Sequence, residues 1–346
     1  MVFRVGITGD FAPGSVIAGW IEPAVAEHLG GLKGLEWEFL PPDDSLTVAP
    51  EIVSDFDAVI SGDYRWTRTS FKSADRLMLV ACWGIGVDGI DLQAATDADV
   101  AVTNSPSPGN HASVAESALT FILALSKLLL TKDRLTKAGR AGDAQAMRGT
   151  LIRGRTIGIV GLGNTARLFS GLLRALAPAR VLSYDPYVDR EVADSLGVQL
   201  VGLEALMEQA DYVVVMCTLN DETRGLVSAE LLARMKPTAY LVNTARGPLV
   251  DQAALVELLR GGAIAGAAVD VTDPEPPSAD DPLLALDNVI ATGHALAWTE
   301  ESLRGACDFP CRAVATAYRG TLPDHVVNLP VAERARFQAK LARRTT

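Results

Sequence analysis

The chain has 346 residues, 49% of them hydrophobic and 21% charged, with 30 Gly and 18 Pro. That is a globular composition long enough for about two domains, and it excludes a disordered or collagen-like chain. The formal net charge of −11 repels phosphate backbones and anionic lipid, so nucleic acid and membrane are not expected as partners; a small anionic substrate needs a local basic site.

In chain order, residues 2–7 read as a strand, 13–29 as a helix and 35–40 as a strand, with short apolar runs at 58–60, 77–81 and 100–102. Strands separated by helices predict a parallel sheet covered on both faces. The segment Asn104-Ser105-Pro106-Ser107-Pro108-Gly109-Asn110 then interrupts the pattern and is read as a domain junction. A long apolar-faced helix is predicted over 112–130. Its apolar stretch, 118–130, is broken by Ser126 and Lys127 and falls short of a membrane span of about 20 residues. Residues 131–154 are polar and basic and are read as a surface segment.

From Thr156 the alternation restarts with strand-like runs at 156–160, 181–184, 212–216, 239–242, 265–269 and 289–292. Helical segments lie between most of them; one, at 251–259, is stopped by Gly261-Gly262. Six strands with crossover helices predict a doubly wound dinucleotide domain. After Trp298 the chain turns helical and ends in a basic tail over 334–344, expected to pack back on the first domain. The expected fold is α/β with two parallel-sheet domains: residues 1–106 plus 299–346 for the substrate, and 107–298 for the dinucleotide. No internal repeat or low-complexity tract is seen.

The cysteines, Cys82, Cys217, Cys307 and Cys311, fit neither a disulfide framework nor a zinc site, so no metal is expected. Reduced thiols and the lack of a signal-peptide pattern in Met1-Val2-Phe3-Arg4-Val5 point to a cytoplasmic protein.

The run Thr156-Ile157-Gly158-Ile159-Val160 leads directly into Gly161-Leu162-Gly163-Asn164-Thr165-Ala166. Gly161 permits a tight turn. Gly163, lacking a Cβ, lets the backbone approach a pyrophosphate at the N-terminus of a helix that starts near Thr165. Ala166 takes the third small position, and Arg167 is placed to approach a phosphate. Asp185 stands nineteen residues after Ala166, at the end of the next strand. An acid there accepts hydrogen bonds from ribose hydroxyls and repels a 2′-phosphate, which favours NAD over NADP.

Three further segments fall at strand ends of the same half, where open α/β sheets bind ligands. In Leu241-Val242-Asn243-Thr244-Ala245-Arg246-Gly247, the guanidinium of Arg246 suits bidentate capture of a carboxylate. The second is Asp270-Val271-Thr272-Asp273-Pro274-Glu275-Pro276, and the third Thr292-Gly293-His294-Ala295-Leu296-Ala297-Trp298. Of the four His residues, only His294 follows a buried-type strand in this half. A carboxylate beside its imidazole would raise its pKa and orient it, as a general acid/base requires. Glu275 is the chosen partner; Asp270 either orients the nicotinamide or tunes the pair.

From about Leu77 to Thr299 the chain resembles the D-isomer-specific 2-hydroxyacid dehydrogenases, most strongly over 158–276. The resemblance is carried by Asp221-Glu222-Thr223-Arg224-Gly225-Leu226, Met235-Lys236-Pro237, Asn243-Thr244-Ala245-Arg246-Gly247 and Gly262-Ala263-Ile264-Ala265-Gly266-Ala267. Trp83-Gly84-Ile85-Gly86-Val87-Asp88-Gly89 is similar to the family's glycine loop, whose amides hold the substrate carboxylate. The resemblance implies a flavodoxin-like substrate domain and a Rossmann domain with the active site in the cleft. It implies Arg246 as the substrate-binding arginine, His294 as acid/base and Glu275 as its partner. It also implies NAD as cofactor and a homodimer formed through the region of residues 118–130.

The cofactor site expected on this basis comprises Gly161, Gly163, Asn164, Thr165, Asp185, Thr218, Thr244, Ala245 and Asp270. The substrate site comprises Gly62, Arg65, Gly84, Ile85, Gly86, Arg246 and Trp298. Arg65 is read first as a solvated loop arginine and second as the holder of another anionic group such as a phosphate. Trp298 either walls the pocket or belongs to the core. Three departures from the family stand out: Thr218 and Gly293 occupy positions where proline is usual, and Ala166 replaces the third glycine. Gly293 gives the backbone at His294 more freedom than proline would.

The expected chemistry is hydride transfer between nicotinamide and C2 of a 2-hydroxy or 2-oxo acid. Phosphoglycerate, glyoxylate and hydroxypyruvate all stay open as substrates. The rival readings are a non-catalytic NAD(H)-sensing protein and a dehydrogenase of a small anion such as formate or phosphite.

Overall fold

A computed structural model describes residues 2–15, 17–41 and 45–343. The chain divides into two compact units, Met1–Asn110 with Thr299–Thr346, and His111–Trp298.

The first unit is built on β1 (Phe3–Ile7), β2 (Leu35–Phe39), β3 (Ala58–Ser61), β4 (Leu79–Cys82) and β5 (Ala101–Thr103). All pair in parallel in the order β2-β1-β3-β4-β5, the flavodoxin-like arrangement, with its switch point between β1 and β3. β3, β4 and β5 are wholly buried, which is why they read as unbroken apolar runs. β2 lies at the sheet edge and alternates acidic and apolar residues, leaving Trp37 39% exposed.

The first helix, Ala18–His28, starts later than its apolar pattern suggests. Pro13 and Gly14, the latter at φ +98°, keep the preceding residues in turns. It buries Ile21, Ala24 and Val25 in one core with Cys307, Cys311 and Val314 of the helix Glu300–Tyr318. The C-terminal segment therefore contributes to the core of this unit. Its last helix, Ala335–Ala342, is held by Lys340, whose Nζ donates to the carbonyls of Ala74, Leu77, Ala98 and Asp99 at 2.7–3.0 Å. Burial pushes that amine down to about 8. Arg344 of the basic tail lies outside the described residues.

The second unit carries β6 (Thr156–Val160), β7 (Arg180–Tyr184), β8 (Gln199–Leu200), β9 (Tyr212–Val215), β10 (Tyr240–Asn243), β11 (Gly266–Val269) and β12 (Val289–Ala291). They form one parallel sheet in the order β12-β11-β10-β9-β6-β7-β8, a doubly wound Rossmann order with its switch point between β6 and β9. Six of these strands were expected. β8 pairs only Gln199 and Leu200 against β7, too short a stretch to give a periodic signal. Gly158 lies inside β6, where a Cβ would come within 2.7 Å of Leu206 and 2.9 Å of Ala210. The helix Leu203–Gln209 thus packs tightly on the strand that delivers the glycine loop.

On the other face, Ala115, Ala118, Phe121, Ile122 and Leu125 of the helix Pro108–Lys127 share a core with Ala166, Phe169 and Leu173. The segment after it, read as a surface segment, carries two helices, Leu129–Lys137 and Ala141–Ala146, that the sequence reading did not assign. Leu129–Lys137 buries none of its residues, and amphipathic periodicity is correspondingly weak there. At Leu128, φ +54°, the chain bends by 58° between the helices Pro108–Lys127 and Leu129–Lys137. Among the described residues no single helix is long and apolar enough to cross a membrane.

Candidate active site

At the switch point of the second unit, β6 runs into Gly161 at φ +93°. A Cβ there would lie 2.8 Å from the Cα of Cys217, so only glycine lets the ends of β6 and β9 come this close. Gly163 precedes the helix Asn164–Leu173 and has no atom within 4 Å of where a Cβ would sit. No side chain caps that helix, so its first amides keep their hydrogen-bonding capacity toward an anion. Asp185 fastens the turn: its Oδ2 accepts from the Leu162 amide at 2.7 Å and its Oδ1 from the Tyr187 amide at 2.9 Å. Arg167, placed by its position near a phosphate, turns back instead and donates to the Leu162 carbonyl at 3.1 Å.

The strand ends on the other side of the switch point add further polar groups. Asn243 shapes the turn after β10 by accepting from the Ala245 amide at 3.1 Å and donating to the Arg246 carbonyl at 2.9 Å. The Thr244 hydroxyl is buried and has no hydrogen-bond partner among the described residues. Thr218 is exposed after β9, and its carbonyl accepts from the Thr223 hydroxyl at 2.7 Å. An open glycine face, an uncapped helix start, an acid at the next strand end and an orphaned hydroxyl together fit a dinucleotide.

Beside this cradle stand Arg246, Glu275 and His294. Gly247 brings the turn after β10 against the loop after β11: a Cβ on it would lie 1.9 Å from the Thr272 carbonyl oxygen. Asp270, buried at the end of β11, secures the loop that carries the histidine. Its Oδ1 accepts from the Thr292 hydroxyl at 2.5 Å and from the amides of Ala295 and Leu296 at 3.1 Å, while its carbonyl accepts from the His294 amide. The sequence reading gave Asp270 a cofactor or tuning role; its carboxylate is engaged with this loop.

Gly293 and His294 both adopt left-handed backbone, at φ +61° and +59°. Proline is confined to φ near −65°, so the glycine at 293 is what this loop conformation requires. His294 Nδ1 meets Glu275 Oε1 at 2.5 Å. That hydrogen bond raises the imidazole pKa above its ordinary value. Burial and the positive charge of Arg246 oppose the rise, and the carboxylates of Glu275 and Asp270 reinforce it. Arg246 is half-buried, and its Nη1 donates to the Ala245 carbonyl at 2.8 Å. Trp298, four residues past the histidine, is 39% exposed. A carboxylate-paired imidazole and a guanidinium that feel each other's charge can hold an organic acid and move a proton at it.

In the first unit, Gly62 directly follows β3 at the switch point. Its amide donates to the Thr8 hydroxyl at 2.9 Å, and a Cβ on it would lie 1.8 Å from Asp10 Oδ2. Asp10 Oδ2 also accepts from the Asp63 amide at 2.8 Å. Burial raises the pKa of Asp10, against the hydrogen bond from Thr8. The sequence reading overlooked this acid, which only the fold brings to Gly62. Arg65 is exposed, its amide bonded to the Leu46 carbonyl at 2.7 Å. Gly84, Ile85 and Gly86 form a half-buried loop after β4, with Gly84 at φ +96°. The carbonyls of Gly84 and Ile85 accept from the Ser105 amide at 2.7 Å and the Asn104 side chain at 3.0 Å.

Residues 119–295 match the D-isomer specific 2-hydroxyacid dehydrogenase, NAD binding domain family. The chain is 36% identical over 264 residues to a glyoxylate reductase of Korarchaeum cryptofilum, covering 75% of this chain and 79% of that one. The chain belongs to the D-isomer-specific 2-hydroxyacid dehydrogenase family. It is also 36% identical over 282 residues to a D-3-phosphoglycerate dehydrogenase of Methanocaldococcus jannaschii, covering 81% of this chain. The dehydrogenase-family chain spans only about half, 53%, of that relative's length. Among solved structures, the TT0316 protein of Thermus thermophilus superposes with a TM-score of 0.81 at 28% identity, over 94% of this chain and all of that one. Within this family the cradle at Gly161 and Gly163 belongs to an NAD-binding domain.

Proposed function

We propose that the protein is an NAD-dependent oxidoreductase that interconverts a D-2-hydroxy acid and its 2-oxo acid. The observation that carries the reading is the His294–Glu275 pair, 2.5 Å apart, within the electrostatic reach of Arg246 in an NAD-binding domain. Bound NAD(H) supplies or takes up the hydride at C2. In the reducing direction Arg246 binds the substrate carboxylate, and His294 as imidazolium gives its proton to the carbonyl oxygen. Glu275 keeps the imidazole charged and oriented through Nδ1, which leaves Nε2 as the atom that transfers the proton. In the oxidising direction neutral His294 takes the hydroxyl proton. The backbone of the Gly84–Gly86 loop and the Gly62 turn are assigned to the substrate.

The substrate we favour is a small, unphosphorylated 2-oxo acid. At Gly62 the carboxylate of Asp10 already fills the space beside the strand end, and a phosphate placed there would meet that charge. The reading includes a cytoplasmic homodimer; the four cysteines are free thiols, which suits a reducing compartment.

The test is a panel of 2-oxo acids with NADH. Turnover of glyoxylate or hydroxypyruvate, with 3-phosphohydroxypyruvate slower by tenfold or more, is the expected result. Silence across the panel with turnover of formate or phosphite would replace the proposal, and binding of NADH without any turnover would make the protein a sensor.

A further inference from the structure

Of the two histidines in the second unit, His111 is the one the proposed chemistry leaves unused, and it does not sit at a strand end. It lies in the first turns of the helix Pro108–Lys127, half-buried, with Nδ1 2.9 Å from the hydroxyl of Thr165. Thr165 is the second residue of the helix Asn164–Leu173, directly after the glycine turn. The helices bearing the two residues share a core through Ala115, Ala118, Phe121 and Ile122 on one and Ala166 and Phe169 on the other, so their starts are fixed side by side.

Three features make this contact more than a surface hydrogen bond. No side chain caps the Asn164–Leu173 helix, so nothing from Gly163 competes for the space at its first amides. Arg167 is tied back to the Leu162 carbonyl and is not directed to that space. Burial lowers the His111 pKa and so favours the neutral ring, which carries its single proton on one nitrogen or the other. With the proton on Nδ1, the ring donates to Thr165 Oγ1. The threonine's own O–H is then left to donate elsewhere, and the nearest acceptor a dinucleotide brings to a helix start is its pyrophosphate.

We propose that His111 is a positioning residue for the cofactor: it orients the Thr165 hydroxyl as a donor to the pyrophosphate of NAD(H). The inference rests on the reading of the glycine turn as the dinucleotide site, but not on the identity of the substrate. One hydrogen bond acting through another is worth roughly three- to tenfold in affinity.

The experiment is titration calorimetry of NADH and of ADP-ribose against four proteins: wild type, His111→Phe, Thr165→Val and the double variant. Each single change should weaken both ligands by about three- to tenfold, and the double variant should bind no worse than the weaker single one. His111→Asn, whose amide can take the place of Nδ1–H, should restore most of the loss. Binding of AMP through adenosine contacts should move much less than that of ADP-ribose. The proposal is overturned if His111→Phe binds NADH as wild type does, if the two losses simply add, or if AMP weakens as much as ADP-ribose. Should His111→Phe fail to fold, His111→Asn and His111→Ala carry the comparison. A wild type that turns over no 2-oxo acid yet shows the coupled losses would retain this inference while removing the proposed reaction.

Discussion

An imidazole hydrogen-bonded to a carboxylate keeps its proton to higher pH than one in water, and His294 has Glu275 Oε1 at 2.5 Å. Reduction needs the imidazolium, so kcat/KM for the 2-oxo acid should hold through the ordinary histidine range near 6.5 and fall as pH rises past the raised value. Oxidation should show the opposite limb. Glu275→Gln removes the partner while burial and Arg246 continue to depress the pKa. The alkaline limb should therefore move to lower pH, with reduction at pH 8 slower by about 10²-fold or more. A pH–rate profile unchanged by this substitution would remove Glu275 from its assigned role. The strand ends that carry Arg246 and His294 were legible because each follows an apolar run. The supports were not. Asp270 binds amides 25 and 26 residues further along the chain, and Asp10 reaches Gly62 across 52 residues of sequence; neither distance leaves a local signal.

The glycines belong to the scale of elements. Gly161 was legible as a turn glycine because a strand precedes it and a helix follows. Gly247 was legible only as part of a family motif, since its reason is a contact with another loop: a Cβ would fall 1.9 Å from the Thr272 carbonyl oxygen. Gly247→Ala should push the turn after β10 away from the loop after β11, at a cost of about 1–3 kcal/mol in stability. Arg246 would be displaced with it, so KM for the 2-oxo acid should rise while NADH affinity stays near that of wild type. Thermal unfolding and steady-state kinetics check both halves; unchanged stability and KM would show that the loops are not in contact. The strands buried on both faces, β3 to β6 and β9 to β11, stood out as apolar runs. β8 and the two short helices after Leu128 did not, because an element of two residues has no period and an exposed helix has no apolar stripe to reveal it.

At the scale of the whole molecule, the second unit presents Leu129, Leu130 and Leu151 to solvent at 55%, 50% and 64% exposure. Leu129 and Leu130 follow the bend after the long apolar helix, the region proposed for the homodimer, and the segment of Leu151 is tied to it by the Thr150 amide, which donates to the Ser126 carbonyl at 2.7 Å. An exposed apolar set of this kind favours association. Light scattering on the eluting protein should give a mass of twice 36.6 kDa at micromolar concentration. Leu129→Glu with Leu130→Glu should bring it to 36.6 kDa without loss of the folded state, since neither side chain is buried. A wild type that elutes at the smaller mass would refute the dimer. The division into two α/β sheets was readable from the alternation of apolar runs and helical periods. The pairing orders, 2-1-3-4-5 and its seven-stranded counterpart, come from crossovers that no single stretch of sequence specifies.

The measurement that bears most directly on the proposed reaction is made on His294→Ala with a 2-oxo acid that the wild type reduces. NADH binding, read by fluorescence titration, should stay within about twofold of wild type, because the imidazole is assigned to the substrate's proton and not to the cofactor. Turnover should fall by about 10³-fold or more, with no alkaline limb left in its pH profile. Wild-type turnover by the variant, with the limb still present, would contradict the assignment of His294 as the acid/base.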